Sequence, residues 1–535
     1  MTTTGPALGR ATLIQAAGTT LSRATGFGRV FALAYALGAG LLADTYTLAN
    51  ETPNMVFELV IGGVLSGMVL PEFVRQLRND DEREGWHAVS AVVTVSLVAC
   101  ALLACAFVFV APWIIRLYTL RKSGDVGDDQ FEVATDLLRL FAPQVFLYGT
   151  VYLSTAVLRA RRRFAAPMFA PVLNNLVVIA LFLAWPSMVG SRSLAEVAGD
   201  REALLLLGLG TTAGVAAMAL AQIPFRTVAR HVRWTWQPRH PSVLRILRLG
   251  TWTAGFVIAN MVALFVVRLL ANGEAGGVVT YFFAYTLFLL PHGIVSVSII
   301  STLQPELAEA WAAGDTAAFR HHLGTGLRSI WAVMVPAAVG YVLLARPLVS
   351  TLLEHGALGA DEAADVASTL AMFALGLPAF SSWMFLSACY QAMQDTRSLF
   401  FLYLLENGVN IAGALVLYAA AGVEGLALAF SLAYLAGTAA ALRHLRRRLG
   451  GLEGRRLLSS AARVAGAAAV MGVAVAGVSL GFGSDRGGGA ALRSGIGVVT
   501  GVTVFLVAGR LLGVTEMTDL LGRRGGEVAG RPAGS

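Results

Sequence analysis

The chain is poor in charge, cysteine and lysine, and each shortage narrows what it can be. Asp, Glu, Lys and Arg together make 13% of its 535 residues, against roughly a quarter in a soluble domain. That deficit excludes a large water-facing surface. Its three cysteines, Cys100, Cys105 and Cys389, fall in or beside apolar stretches without metal-ligand spacing. They read as small buried hydrophobes with no disulfide between them. A single lysine, Lys122, leaves arginine to carry nearly all the positive charge. No phosphate-binding glycine loop, zinc-ligand spacing or nucleophile elbow is present, so the chain does not read as an enzyme and needs no cofactor. The first ten residues lack a charged start, a short apolar run and a small-residue cleavage site, so the first helix is expected to be retained.

What is there is apolar. Hydrophobic residues make 56% of the chain, and the mean hydropathy is +0.69. Uncharged stretches long enough to cross a hydrocarbon core recur from end to end, among them 92–115, 164–190, 249–267 and 464–480. The expectation is an all-α polytopic membrane protein of about fourteen transmembrane helices. Approximate spans are 12–38, 45–77, 87–117, 132–158, 166–188, 202–225, 242–270, 278–307, 325–349, 363–394, 398–419, 424–445, 458–480 and 490–513. The polar, glycine-rich stretch from Thr515 to Ser535 is expected to be a disordered tail.

The arginines set an orientation. Basic connectors follow the even-numbered spans: Arg75 to Arg83, Arg159 to Arg163, Arg226 to Arg248, Arg320 and Arg328, Arg397, and Arg443 to Arg456. Odd-numbered connectors are acidic or poor in charge, with Arg116, Arg121 and Lys122 the main exception. Positive loops stay in the cytoplasm, which places both termini there. Arg159 to Arg163 lies between two spans, so it reads as an inside anchor and not as a nucleic-acid site.

Ionisable residues within spans are costly and face a partner or a wet cavity. They gather at the N-terminal end: Arg23 and Arg29 in the first span, and Asp44, Glu51 and Glu58 around the second. A seven-residue step advances nearly two whole turns, so these three acids share one stripe with Asn54 on its flank. The second span turns back from the first at Gly38-Ala39-Gly40, which brings the arginines within reach of that stripe. Two readings stay open, a polar cavity for a phosphate or sugar head group and internal ion pairs that hold two helices together. Gly26, Gly28, Gly38, Gly40, Gly62, Gly63 and Gly67 read as close packing. Glu406, Asn407 and Asn410 in the eleventh span form a candidate ion site or an interhelical hydrogen-bond cluster. Asn174, Asn175 and Asn260 read as structural, and His292 either lines the cavity or, as the simpler reading, satisfies a carbonyl freed by Pro291.

The first 75 residues resemble the MurJ/MviN family, the lipid II flippases of peptidoglycan synthesis. The likeness runs through Ser22-Arg23, Gly26 to Arg29, Gly38-Ala39-Gly40, Ala43-Asp44, Pro53-Asn54 and Pro71. It continues in order through Arg163-Phe164, Pro167, Phe169 to Pro171, Asn174, Pro291, Gly293, Val295, His355-Gly356 and Gln394 to Arg397, covering roughly residues 10 to 445. The resemblance implies two six-helix lobes around a central cavity, here 1–230 and 231–450, with two more helices in 451–514 forming a lipid-facing groove. It also implies a polyprenyl-diphosphate-linked cell-wall precursor as substrate, moved from the inner to the outer leaflet of the cytoplasmic membrane by alternating access. Arg23, Arg29 and Asp44 would then line the cavity, with the arginines on the diphosphate. Membrane lipids and the cell-wall synthesis machinery would be its partners, and the membrane potential or an ion gradient its driving force. The chain departs from the family pattern where Phe57 and Glu58 replace an arginine pair, Tyr285 and Thr286 an Asp-Arg pair, Met384 a lysine and Val266 an acid. Those departures keep two alternatives open, an exporter of another lipid-linked glycan or a drug, and a non-transporting membrane scaffold.

Overall fold

The computed structural model describes residues 5–58, 69–77, 81–122, 124–190, 193–222, 230–249, 251–481, 487–514 and 516. Gly62, Gly63 and Gly67, Arg78, Arg226 and almost all of the tail expected from Thr515 lie outside them. The described residues form helices joined by short turns, with no strand among them. The chain divides into two compact units, one of Met1–Val279 with His355–Gly359, the other of Thr280–Glu354 with Ala360–Ser535.

The first unit holds α1 (Gly5–Leu37), α2 (Leu41–Phe57), α3 (Val69–Gln76), α4 (Glu82–Tyr118), α5 (Asp125–Phe141), α6 (Pro143–Ala160), α7 (Ala165–Met188), α8 (Leu194–Gly199), α9 (Arg201–Leu220), α10 (Pro241–Leu249) and α11 (Thr251–Ala271). The helix α12 (Gly277–Pro291) begins in it. Proline at 143 starts α6 immediately after α5, so 125–160 is one interrupted span. The expectation that α1 runs along α2 is corrected: α1 packs along α7. Gly26 faces Asn175 and Gly28 faces Ile179, and Asn175 Nδ2 donates to the Ser22 carbonyl at 3.2 Å and to Thr25 Oγ1 at 3.0 Å. Small residues let the two helices approach, and the asparagine bonds across them. Phe73, Trp86, Val89, Leu153, Val157, Val243 and Ile246 form the core beneath α3, α4, α6 and α10.

A tight turn explains two of the sequence signatures. Gly38 and Gly356 both have φ of +65°, and a side-chain carbon on Gly38 would lie 2.7 Å from the Ala357 carbonyl oxygen. Ala357 N in turn donates to the Tyr35 carbonyl at 2.9 Å. Only glycine allows both the left-handed backbone and that approach.

The second unit continues with the rest of α12, a π-helical segment (His292–Ser296), α13 (Val297–Ala312), α14 (Thr316–Leu353), α15 (Ala360–Ala374), α16 (Leu377–Ala392), α17 (Thr396–Arg448), α18 (Gly454–Gly481) and α19 (Gly487–Leu511). The break at Ala421 and Gly422 divides α17 into two helices. Glu406 lies beside Gly437 and Ala429 beside Gly413, so they form an antiparallel hairpin matching the two spans expected there. Among the described residues nine elements are long and apolar enough to cross a membrane, ten with the bent pair α15 and α16. That count takes the two limbs of α17 as one element and covers the described residues alone, so it is no test of the expected fourteen.

Packing fills the positions where the family pattern carries charge. Tyr285 lies among Phe288, Phe373 and Phe430, with ring centroids 5.7–6.0 Å away. The expected role of His292 is also corrected. Proline at 291 frees the carbonyl of Leu287 four residues earlier, and the Tyr341 hydroxyl donates to that oxygen at 2.7 Å. His292 instead meets Ser381 Oγ, 3.0 Å from its Nδ1. Cys100 and Cys389 are buried and unpaired as expected, whereas Cys105 is exposed. Replacing Tyr341→Phe leaves the Leu287 carbonyl without that donor, a loss of about 1–3 kcal/mol. A fall of the melting temperature in detergent checks this, and an unchanged value contradicts it.

Candidate functional site

The polar residues of the first unit sort into two groups. Asp44 is fully buried. Its Oδ2 accepts from Gly276 N at 2.7 Å and its Oδ1 from Val279 N at 2.9 Å. These N–H groups open α12 and have no partner within the helix. The carboxylate caps a helix distant in sequence, next to the positive end of its dipole. Gly276, with φ of +81°, packs against the Ala39 carbonyl, so the chain passes close enough for Asp44 to reach. Its burial argues against the cavity-lining role that the resemblance implies.

The second group surrounds Glu51. Its Oε2 accepts from Arg268 Nη2 at 3.1 Å, with the Glu51 side chain 26% and the Arg268 side chain 12% exposed. From α1, the half-buried Arg29 faces Tyr46, Tyr148 and the same Glu51. Tyr46 lies 3.1 Å from Thr211 Oγ1, and its ring packs edge-on to Phe141 and Phe182. Asn54 reaches Tyr148, and the exposed Glu58 lies in the field of Glu51. Phe57, where the family pattern has arginine, packs on the Tyr148 ring at 5.3 Å. The structure thus gathers Arg29, Glu51, Asn54 and Glu58. Arg23 is exposed, about 9 Å along the helix axis from Arg29.

Arg268 is the member that sequence reasoning missed. It lies within the predicted span 242–270, so the argument used for Arg23 and Arg29 could have found it. Its helix end is held by Asn272, which donates to the Tyr118 carbonyl at 3.0 Å and accepts from Gln130 Nε2 at 2.8 Å. One guanidinium, that of Arg268, therefore pairs with the Glu51 carboxylate, and a second, that of Arg29, bonds to Tyr46 within the field of the same acid. Such an arrangement can take a multiply charged anion, because each guanidinium offers paired donors to phosphate oxygens.

In the second unit Glu406 is 1% exposed. Asn407 Nδ2 donates to its Oε2 at 2.9 Å and to the Tyr403 carbonyl at 2.9 Å. Asn410 Oδ1 is buried without a hydrogen-bond partner among the described residues. No group of three or more His, Cys, Asp or Glu gathers as a metal site among those residues. The same unit carries an apolar cavity of about 500 Å³ between α14, α18 and α19, lined by Pro336, Gly340, Tyr341, Met471, Gly497 and Phe505 among others.

A polytopic helical protein with paired charges buried in its spans has the makings of a membrane transporter. The chain belongs to the MurJ family: the family model described as lipid II flippase MurJ matches residues 33–484. It is 27% identical to the probable lipid II flippase MurJ of Thermotoga maritima, over 96% of this chain and 98% of the relative. It is also 27% identical to the lipid II flippase MurJ of Burkholderia cenocepacia, over 73% and 74%. Among solved structures, lipid II flippase MurJ in an inward closed conformation superposes with a TM-score of 0.76 at 18% identity, covering 95% of this chain and all of that one. An inward-facing multidrug transporter of the MATE family superposes at 0.66 and 16% identity, covering 80% and 96%. At these identities the superpositions carry the fold alone.

A double replacement tests the Glu51 pair. Glu51→Gln or Arg268→Gln alone should lower the melting temperature by several degrees, because each strands a half-buried charge. The double variant should lose less than the sum of the two; strict additivity would mean that the pair is not coupled.

Proposed function

We propose that the chain is a lipid II flippase, carrying the polyprenyl-diphosphate-linked precursor from the inner to the outer leaflet by alternating access. Family membership supports the substrate class. The convergence of Arg29 and Arg268 on Glu51 is the observation that supports a site for the diphosphate.

Glu51 acts as a resident counter-ion. While the site is empty it holds both guanidiniums in place and leaves no bare charge at membrane depth. The arriving diphosphate takes over those donors, so binding exchanges one anion for another. Asn54 and the tyrosines add neutral hydrogen-bonding groups for the sugar end. The apolar cavity of the second unit takes part of the polyprenyl chain, which needs a dry wall and no polar partner. The basic connectors lie on the cytoplasmic side with both termini, and the enzymes that make and use the precursor are the expected partners.

Complementation of a strain depleted of its own lipid II flippase tests this reading. Wild type should rescue, and Arg29→Ala or Arg268→Ala should fail to rescue even when expressed to a level at which the folded variant reaches the membrane in wild-type amount. Abundance falling in step with rescue would make the cluster a structural ion pair instead. For the driving force, an ion gradient acting through Glu406, Asn407 and Asn410 is the proposal. In proteoliposomes Glu406→Gln should abolish the response of transport to an imposed proton or sodium gradient. A variant that responds like wild type would leave the membrane potential as the source.

A further inference from the structure

A second cationic site lies far along the sequence from the Arg29 cluster, at the N-terminal end of α4. A cavity of about 590 Å³ there is lined by Arg83, Trp86, His87, Arg230, His231 and Arg233, with Glu82, Ser90 and Thr235. Two bonds fix its wall: Arg233 N donates to Ser90 Oγ and Thr235 N to Thr94 Oγ1, both at 3.1 Å. Glu82, the one acid lining it, is already engaged by Arg161 Nη2 at 3.1 Å and Trp86 Nε1 at 3.3 Å, and Arg161 also covers the Trp86 ring at 4.9 Å. Among the described residues no carboxylate lies within ion-pair distance of Arg83, Arg230 or Arg233. Three exposed guanidiniums thus border the cavity with no ion-pair partner among the described residues.

The rim of this cavity is apolar and exposed. Trp234 and Trp236 are 74% and 54% exposed. In α10, which follows, Val243 and Ile246 pack into the core while Leu244 and Leu247 point outward, beside Arg245 and Arg248. Exposed tryptophan with a basic amphipathic helix is the signature of a surface seated in the head-group layer. A soluble anion would need the arginines and no such rim; a protein partner would need a contiguous apolar face instead of scattered anchors.

We propose that this cavity binds the phosphodiester head group of an anionic phospholipid of the inner leaflet. Arg83, Arg230 and Arg233 supply donors to its oxygens, and Trp234, Trp236, Leu244 and Leu247 lie along its acyl chains. The site rests on the geometry of the first unit and does not depend on what the Arg29 cluster carries.

Binding of short-chain phosphatidylglycerol to the purified full chain in neutral detergent tests the proposal, with short-chain phosphatidylcholine and inorganic phosphate as parallel probes. Wild type should prefer phosphatidylglycerol over phosphatidylcholine by about tenfold or more. Arg83→Gln/Arg230→Gln/Arg233→Gln should remove that preference. The control Arg397→Gln/Arg446→Gln/Arg447→Gln, exposed arginines of the second unit, should keep it. Trp234→Ala/Trp236→Ala should weaken phosphatidylglycerol without changing any response to inorganic phosphate. Equal loss in the control set would reduce the effect to net charge and overturn a built site. Inorganic phosphate binding as tightly as the lipid would overturn the lipid assignment in favour of a soluble anion.

Discussion

Inside a membrane, a polar group that water cannot reach must find its partner within the protein. This chain meets that constraint with a small number of long-range contacts. Asp44 takes two amide hydrogens that open α12. Tyr341 takes the carbonyl that Pro291 cannot occupy. Arg268 pairs with Glu51, and Arg29 bonds to Tyr46 in the field of that acid. Each contact joins elements distant in sequence, so the same bonds that satisfy buried polarity also position the helices. Two acids that look alike in the sequence consequently do different work. Asp44 is spent on a backbone, while Glu51 remains partly open and paired to side chains that a ligand can claim.

The helical, membrane-embedded character of the chain was legible because it depends only on composition and the length of apolar runs. So was the hairpin of α17, where the gap between the expected spans 398–419 and 424–445 coincides with the break at Gly422. The family was legible from scattered signatures in order, and several have physical causes in the structure. Gly38 and Gly356 lie where a side chain would collide, and Asp395 opens α17 by accepting from Ser398 N at 3.0 Å.

What sequence could not supply was which partner each charge would choose. The seven-residue spacing put Asp44 and Glu51 on α2 with Glu58 at its C-cap, but spacing within a helix says nothing of its neighbours. The pairing of α1 with α7, set by Gly26, Gly28 and Asn175, and the arrival of Arg268 from α11 both depend on tertiary contacts. The same limit applies to Tyr285: its substitution for a charged residue reads as a lost function in sequence, and in the structure it closes an aromatic cluster with Phe288, Phe373 and Phe430.

The central claim is that Arg29 and Arg268 hold the diphosphate of a polyprenyl-linked precursor in exchange for Glu51. Equilibrium binding of lipid II to purified wild type and to Arg29→Gln/Arg268→Gln, at a temperature below the melting transition of both, addresses it most directly. The double variant should lose about tenfold or more in affinity, while a precursor lacking the diphosphate binds both proteins alike. Equal affinity of wild type and variant for lipid II would contradict it.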